Sequence, residues 1–160
     1  MSTERKNRAY AAAQSVVFLL FALAVVADRG PWLIRTQGAA RIAGAALSLA
    51  GLLLMLVAIV NLRRVIQISP SPREGGHLVT SGVYRYFRHP IYTGIVLIVI
   101  GLFLRQPRVP VAVAVVVVIA FLAAKVRFEE SLLLARYADY AAYRARSWGL
   151  VPWPRLRPPA

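Results

Sequence analysis

Four apolar blocks alternate with short basic and polar segments along this chain, and the block lengths predict membrane-spanning helices. The first runs from about Tyr10 to Ala27, behind Arg5, Lys6 and Arg8. At about 18 residues it is longer than a secretory h-region, and the Ala-Asp-Arg-Gly after it is a poor cleavage site, so a retained helix is expected. The second runs from about Ala39 to Asn61, enough to cross a hydrocarbon core of ~30 Å. Gly44, Ala45, Ser48 and Gly51 give it a small-residue face of the kind that lets helices pack closely in lipid. Abundant alanine and glycine in the chain would produce the same face without any such role.

The third block, Ile91–Leu104, is short, spanning about 21 Å at ~1.5 Å per residue. It crosses only if Pro90 and Gln106 are included. Pro90 suits the first turn of a helix, where its missing N–H costs nothing. The fourth, Val109–Val126, is rich in valine, which in water favours strand. In lipid a lone strand leaves its backbone unsatisfied, so helix is expected. Arg105-Gln-Pro-Arg108 is then a tight hairpin connection. Beyond it, Phe128–Arg146 is expected to continue as a helix at the interface, with Tyr137, Tyr140 and Tyr143 at headgroup level. The tail from Trp153 is too rich in proline to continue a helix. The fold class is therefore an all-α integral membrane protein with about four transmembrane helices, five being possible, plus a C-terminal interfacial helix. It reads as a single domain over 1–160: an N-terminal helix pair (10–61), a second half (62–152) that carries the chemistry, and a tail (153–160).

Composition narrows the function. The chain has 160 residues, of which 59% are hydrophobic, too apolar for an ordinary soluble domain. It has no cysteine, which excludes disulfides, thiol catalysis and thiolate metal sites, and its two histidines, His77 and His89, leave little for a metal site. Net charge is +14, a balance that in a soluble protein would point to nucleic acid. Here the basic residues flank apolar blocks, so topology and anionic headgroups explain them better, and no nucleic-acid partner is expected. With four spans and the N-terminus inside, 15 of the 20 Lys and Arg fall on the inner side; Arg29, Arg35, Arg41, Arg105 and Arg108 fall outside. Both termini and the polar segment before Pro90 are then cytoplasmic.

That segment, through Gly94, is polar, aromatic and basic between two apolar runs. Titratable groups at a membrane boundary cost free energy unless they are paired or used. His89 has the chemistry of a general base, a hydrogen-bond donor or a plain interfacial residue. Tyr84 and Tyr92 have the chemistry of headgroup anchors. Gly82 allows a turn and Gly94 a close helix approach. Past the fourth block stand Glu129 and Glu130. Taken alone they read as a solvated, salt-bridged face with Lys125, which lies at i−4 from Glu129, and Arg127.

In combination these residues resemble the isoprenylcysteine carboxyl methyltransferase family, which is broadly related to membrane phospholipid methyltransferases. The resemblance rests on Leu78-Val-Thr-Ser-Gly-Val-Tyr84 and Tyr86-Phe-Arg-His-Pro-Ile-Tyr92-Thr-Gly94. Arg127-Phe-Glu129-Glu130 and Tyr140-x-x-Tyr143-x-x-Arg146 follow in order, and together they cover roughly residues 60–152. It implies S-adenosylmethionine as cofactor at a cytoplasm-facing site. Gly76, His77, Leu78, Val79, Tyr84, Arg88, His89, Pro90, Ile91 and Tyr92 would hold the cofactor, with Glu129 on its other side. Lys125 would meet a substrate carboxylate; the prenyl-protein enzymes carry arginine there, and lysine keeps the charge but loses the bidentate fork. Arg127 is a substitute for that role, and Arg146 closes the matching set. The family's usual Phe-Gly ahead of Tyr140 is replaced by Tyr137-Ala138-Asp139, one residue shorter.

The implied reaction is methyl transfer to a lipophilic acceptor, first carboxyl O-methylation of an isoprenylcysteine-type or prenylated substrate. A carboxylate nucleophile needs no strong base, only positioning and exclusion of water. An amine acceptor, as in N-methylation of a phospholipid headgroup, would give Glu130 or His89 a proton to take. A non-enzymatic scaffold or transporter subunit is the other class. The near absence of charge inside the spans disfavours ion-coupled transport.

Overall fold

The computed structural model describes residues 3–27, 30–34, 38–62 and 78–150. Its regular elements there are α1 (Thr3–Val26), α2 (Gly38–Asn61), a 3-10 turn (Gly82–Arg85), α3 (Pro90–Arg105), α4 (Val109–Arg136) and α5 (Tyr140–Arg146). The chain is an all-α integral membrane protein: α1, α2 and α4 are each long and apolar enough to cross a bilayer, and α3 is a shorter apolar helix. The first helix starts earlier than its apolar block, because Glu4 and Arg8 pair one turn apart at 2.8 Å and extend it into the polar segment.

α2 and α3 run antiparallel with their backbones in close approach. A Cβ on Gly44 would lie 2.5 Å from the Gly101 carbonyl oxygen, and one on Gly51 would lie 2.5 Å from that of Gly94. Ser48, between them, donates its hydroxyl to the Ile98 carbonyl at 3.3 Å. The small-residue face of the second block is therefore this contact, and Gly94 has the close approach expected of it. A branched side chain at either α2 glycine has no room, because the nearest facing atoms are backbone and cannot swing aside. Gly51→Val is expected to destabilise the protein by about 2–3 kcal/mol. Gly38→Ala, whose Cβ would meet nothing within 4 Å, is the control. Melting temperatures in detergent compare the two.

α1 packs along α4, which in turn meets α3. The shared core is Phe21 of α1, Val96 and Val99 of α3, and Val111, Val115, Val118 and Leu122 of α4. The α4 members recur three and four apart, one stripe of a straight helix. At one end the α1–α2 and α3–α4 connections clasp each other. Leu33 N–H donates to Pro107 O at 2.8 Å, Val109 N–H donates to Pro31 O at 3.2 Å, and the Arg108 guanidinium lies 4.2 Å over the Trp32 ring. The tight hairpin expected at Arg105–Arg108 is present.

At the opposite end the expectation of one continuous helix over Phe128–Arg146 is corrected. α4 stops at Arg136, Tyr137 is extended, and α5 begins at Tyr140. Tyr140 and Tyr143 are accordingly not headgroup anchors: they are 1% and 3% exposed. A straight helix would have carried both rings away from the bundle. The break turns them back, so that the Tyr143 hydroxyl donates to the Tyr84 carbonyl at 2.5 Å.

Candidate active site

The site lies where the apolar stripe of α4 turns polar. The register Val111, Val115, Val118, Leu122 continues to Lys125 and Glu129, so the face that packs the core also delivers two ionisable groups beyond it. α4 is 28 residues long, about 42 Å at ~1.5 Å per residue, and its last turns stand clear of a ~30 Å hydrocarbon core. α3 begins at the same level, with Pro90 in its first turn and His89 as its N-cap.

Arg88 ties the elements together. Its Nε donates to Glu130 Oε1 at 2.8 Å, and its Nη1 donates to the Arg144 carbonyl at 2.9 Å and to the Ser147 carbonyl. Those carbonyls sit at the C-terminal end of α5, where backbone acceptors lack helical partners and a cation is favoured. Arg144 Nε approaches the other oxygen of Glu130 at 3.2 Å. Backbone bonds complete the clasp: Arg88 N–H donates to Trp148 O at 2.8 Å, and Trp148 N–H donates to Tyr86 O at 2.7 Å. Thr93 donates its hydroxyl to Leu150 O at 3.0 Å.

Glu129 points to a different set. Tyr92 donates its hydroxyl to Glu129 Oε1 at 2.6 Å. His89 stands between the two carboxylates, Nδ1 3.7 Å from Glu129 Oε2 and Nε2 3.4 Å from Glu130 Oε1. Its ring stacks on Tyr92 at 5.7 Å between centroids, and its Nε2 is buried without a hydrogen-bond partner among the described residues. The Lys125 ammonium lies 5.3 Å over the same Tyr92 ring. The glutamate pair is thus not a solvated face, since both side chains are largely buried and turned toward α3. Burial also holds the phenols neutral. It pushes Tyr143 up to about 12, and Tyr84 and Tyr140 well above the ordinary phenol range.

Of the residues singled out in the sequence, Tyr84, Arg88, His89, Pro90, Ile91, Tyr92, Lys125, Glu129 and Glu130 gather at this end. Leu78 and Val79 lead into the 3-10 turn in half-buried coil, and Gly82 makes the turn with φ of 60°. Gly76 and His77 lie outside the described residues. Arg127 and Arg146 are exposed, on the outer faces of α4 and α5. The basic residue drawn in instead is Arg144. Sequence reasoning also missed Ser147 and Gln14, whose side-chain oxygen accepts from Lys125. Gln14 had one available signal, a lone amide inside an apolar block.

The donor set fits S-adenosylmethionine. That molecule presents a sulfonium, an ammonium, a carboxylate and hydrogen-bonding ribose and adenine groups. Glu129 Oε2 stands 3.7 Å from His89, beyond ordinary hydrogen-bond reach, and so retains capacity for a cation. The orphaned His89 Nε2 and the Tyr92 face supply a polar atom and a cation-tolerant ring beside it.

A helical membrane bundle with a buried, mixed-charge cluster at the end of its spans is the architecture of a membrane-embedded enzyme. Within that class the chain belongs to the phospholipid methyltransferase family, whose sequence model matches residues 39–140. No curated protein and no solved structure matches it. The family is one of membrane methyltransferases acting on lipophilic substrates, and it is related to the isoprenylcysteine carboxyl methyltransferases.

Proposed function

We propose that this protein transfers a methyl group from S-adenosylmethionine to a lipophilic acceptor at the membrane surface, most readily the carboxylate of an isoprenylcysteine-type substrate. The observation that carries the reading is the convergence of Glu129 and Glu130 of α4 with Tyr92 of α3 and with Arg88 and His89 just before it, at one end of an apolar bundle. The domain spans 1–160, with residues 62–152 holding the cofactor and acceptor and the site facing the cytoplasm, as the charge asymmetry supports.

S-adenosylmethionine supplies the electrophilic methyl group when bound. Glu129 binds a cationic part of it, with Tyr92 holding the carboxylate in place. His89, Leu78 and Val79 contact the remainder, together with Tyr84, Pro90 and Ile91. Lys125 orients an anionic acceptor. Arg88 and Glu130 hold α5 over the site, which excludes water from the displacement. The exposure of Arg127 and Arg146 favours roles at the lipid headgroups over contact with the reacting atoms.

The family match favours a second acceptor, the amine of a phospholipid headgroup. In that case His89, between the two carboxylates, takes the proton released on N-methylation. One assay separates the two. Membranes carrying the protein receive methyl-labelled S-adenosylmethionine and a farnesylcysteine analogue, and the product is treated with mild base. Labelled methanol above a Glu129→Gln control is the expected result. Label held in base-stable lipid, and lost in that control, assigns N-methylation. No protein-dependent label in either fraction overturns both.

A further inference from the structure

The family match begins at residue 39, so it leaves α1 without a role. α1 nevertheless reaches the site. Tyr10 stacks on Phe128 at 4.9 Å between centroids, and Gln14 accepts a hydrogen bond from the Lys125 ammonium. Asn7 is seven residues before Gln14, two helical turns along the same face. It is 6% exposed, and its side-chain oxygen is buried without a hydrogen-bond partner among the described residues. An unsatisfied buried amide costs about 1–3 kcal/mol. The inner face of α1 therefore turns polar at the level where α4 does.

Lys125 is 1% exposed. A lysine side chain has four single bonds to rotate, and near a membrane it ordinarily extends its charge to water. This one is held inside, between the Gln14 amide and the Tyr92 face, one turn before Glu129. Gln14 is neutral, so it fixes the ammonium without neutralising it. An aspartate or glutamate at that position would pair with Lys125 and cancel its charge.

We infer that α1 forms the acceptor side of the site, with Gln14 as the positioning residue that fixes the Lys125 ammonium without adding a second carboxylate beside Glu129 and so selects lipids bearing an anionic group beside the methyl-accepting atom. Asn7 extends the same wall with an open acceptor. The inference rests on the methyltransferase reading, but charge selection is measurable without turnover. The shared chemistry is a single anion at headgroup level, whether a carboxylate or a phosphodiester.

The test is equilibrium binding of dansyl-undecanoic acid and of its methyl ester to the full-length protein. The protein is purified in neutral detergent and S-adenosylhomocysteine is present. A charge-assisted contact favours the acid over the ester by about tenfold in the wild type. Gln14→Glu is expected to abolish that preference while ester binding stays within about twofold, since only the local charge is altered. Gln14→Leu, which removes the hydrogen bond that fixes the ammonium without adding a charge, reduces the preference without removing it. Phosphatidylglycerol, a phosphodiester with one negative charge, competing as strongly as a fatty acid assigns the phosphate source; competition by the fatty acid alone assigns the carboxylate. An acid-to-ester ratio unchanged in Gln14→Glu overturns the inference, as does a loss equal for both probes, which marks a packing role. A wild type without acid preference overturns it too. Label transfer in membranes stays a separate result, so failure of the enzyme reading is recognised independently.

Discussion

Arg88→Leu should lower the stability of the protein by about 3 kcal/mol and abolish methyl transfer. The Arg88 and Glu130 side chains are 4% and 9% exposed, and they meet at 2.8 Å. Removing the guanidinium leaves a buried carboxylate with weaker compensation, because Arg144 remains at 3.2 Å but is about half exposed and His89 is only 3.4 Å away. It also frees the carbonyls of Arg144 and Ser147. The loss should read as a fall of roughly 10 °C in detergent melting temperature. Arg88→Lys restores the charge but not the fork that reaches three acceptors, so it recovers part of the stability only. The double variant Arg88→Met, Glu130→Leu removes both charges together. It should recover most of the stability, as apolar replacement of a buried pair commonly does, and none of the activity. Full activity in that double variant would refute the view that this pair holds α5 over the reaction.

Glu129→Gln is expected to leave the fold intact and to weaken S-adenosylmethionine binding about 30-fold, the equivalent of ~2 kcal/mol for one hydrogen bond to a charged group. Glutamine is isosteric and still accepts from Tyr92, whose hydroxyl lies 2.6 Å from Glu129 Oε1. Only the negative charge is lost. Titrating both S-adenosylmethionine and S-adenosylhomocysteine locates the contact. Equal weakening places the carboxylate on the ammonium that the two share. Weakening of S-adenosylmethionine alone places it on the sulfonium. Unchanged affinity for both, at an unchanged melting temperature, would remove Glu129 from the cofactor site. Tyr92→Phe tests the support of that carboxylate. Loss of a hydrogen bond to it should weaken binding in the same direction by a smaller factor, about tenfold.

Much of the architecture was legible in the chain. Block length and apolarity gave the helices, because a backbone crossing lipid has no other way to satisfy its N–H and C=O groups. Pro90 and the Arg105–Arg108 connection marked where α3 begins and where it gives way to α4, since proline removes a donor that only a first turn can spare. The spacing of Gly44, Ser48 and Gly51 offered a packing face, and the structure supplied Gly101 and Gly94 as its partners. That the segment before Pro90 and the glutamate pair lie on one side of the membrane followed from block order, because two spans return the chain to the side it left; their convergence on one site was implied by the family resemblance alone.

What the local pattern could not give was decided by long-range contact. Helical period alone continues α4 through Tyr143; the break at Tyr137–Asp139 follows from the burial of Tyr140 and Tyr143 against residues far earlier in the chain, as in the Tyr143–Tyr84 bond across 59 positions. Neighbouring arginines on α5 look alike in sequence, yet Arg144 turns to Glu130 and Arg146 to the exterior, a difference set by the rotation of a short helix against Arg88. Arg127 and Lys125 are two residues apart and so point to opposite sides of α4; only the packing of α1 and α3 makes one side interior. Gln14 is 111 residues from Lys125. The chain specifies which residues share a helix face, because that depends on backbone period. Which face meets which depends on the packing of all the helices at once.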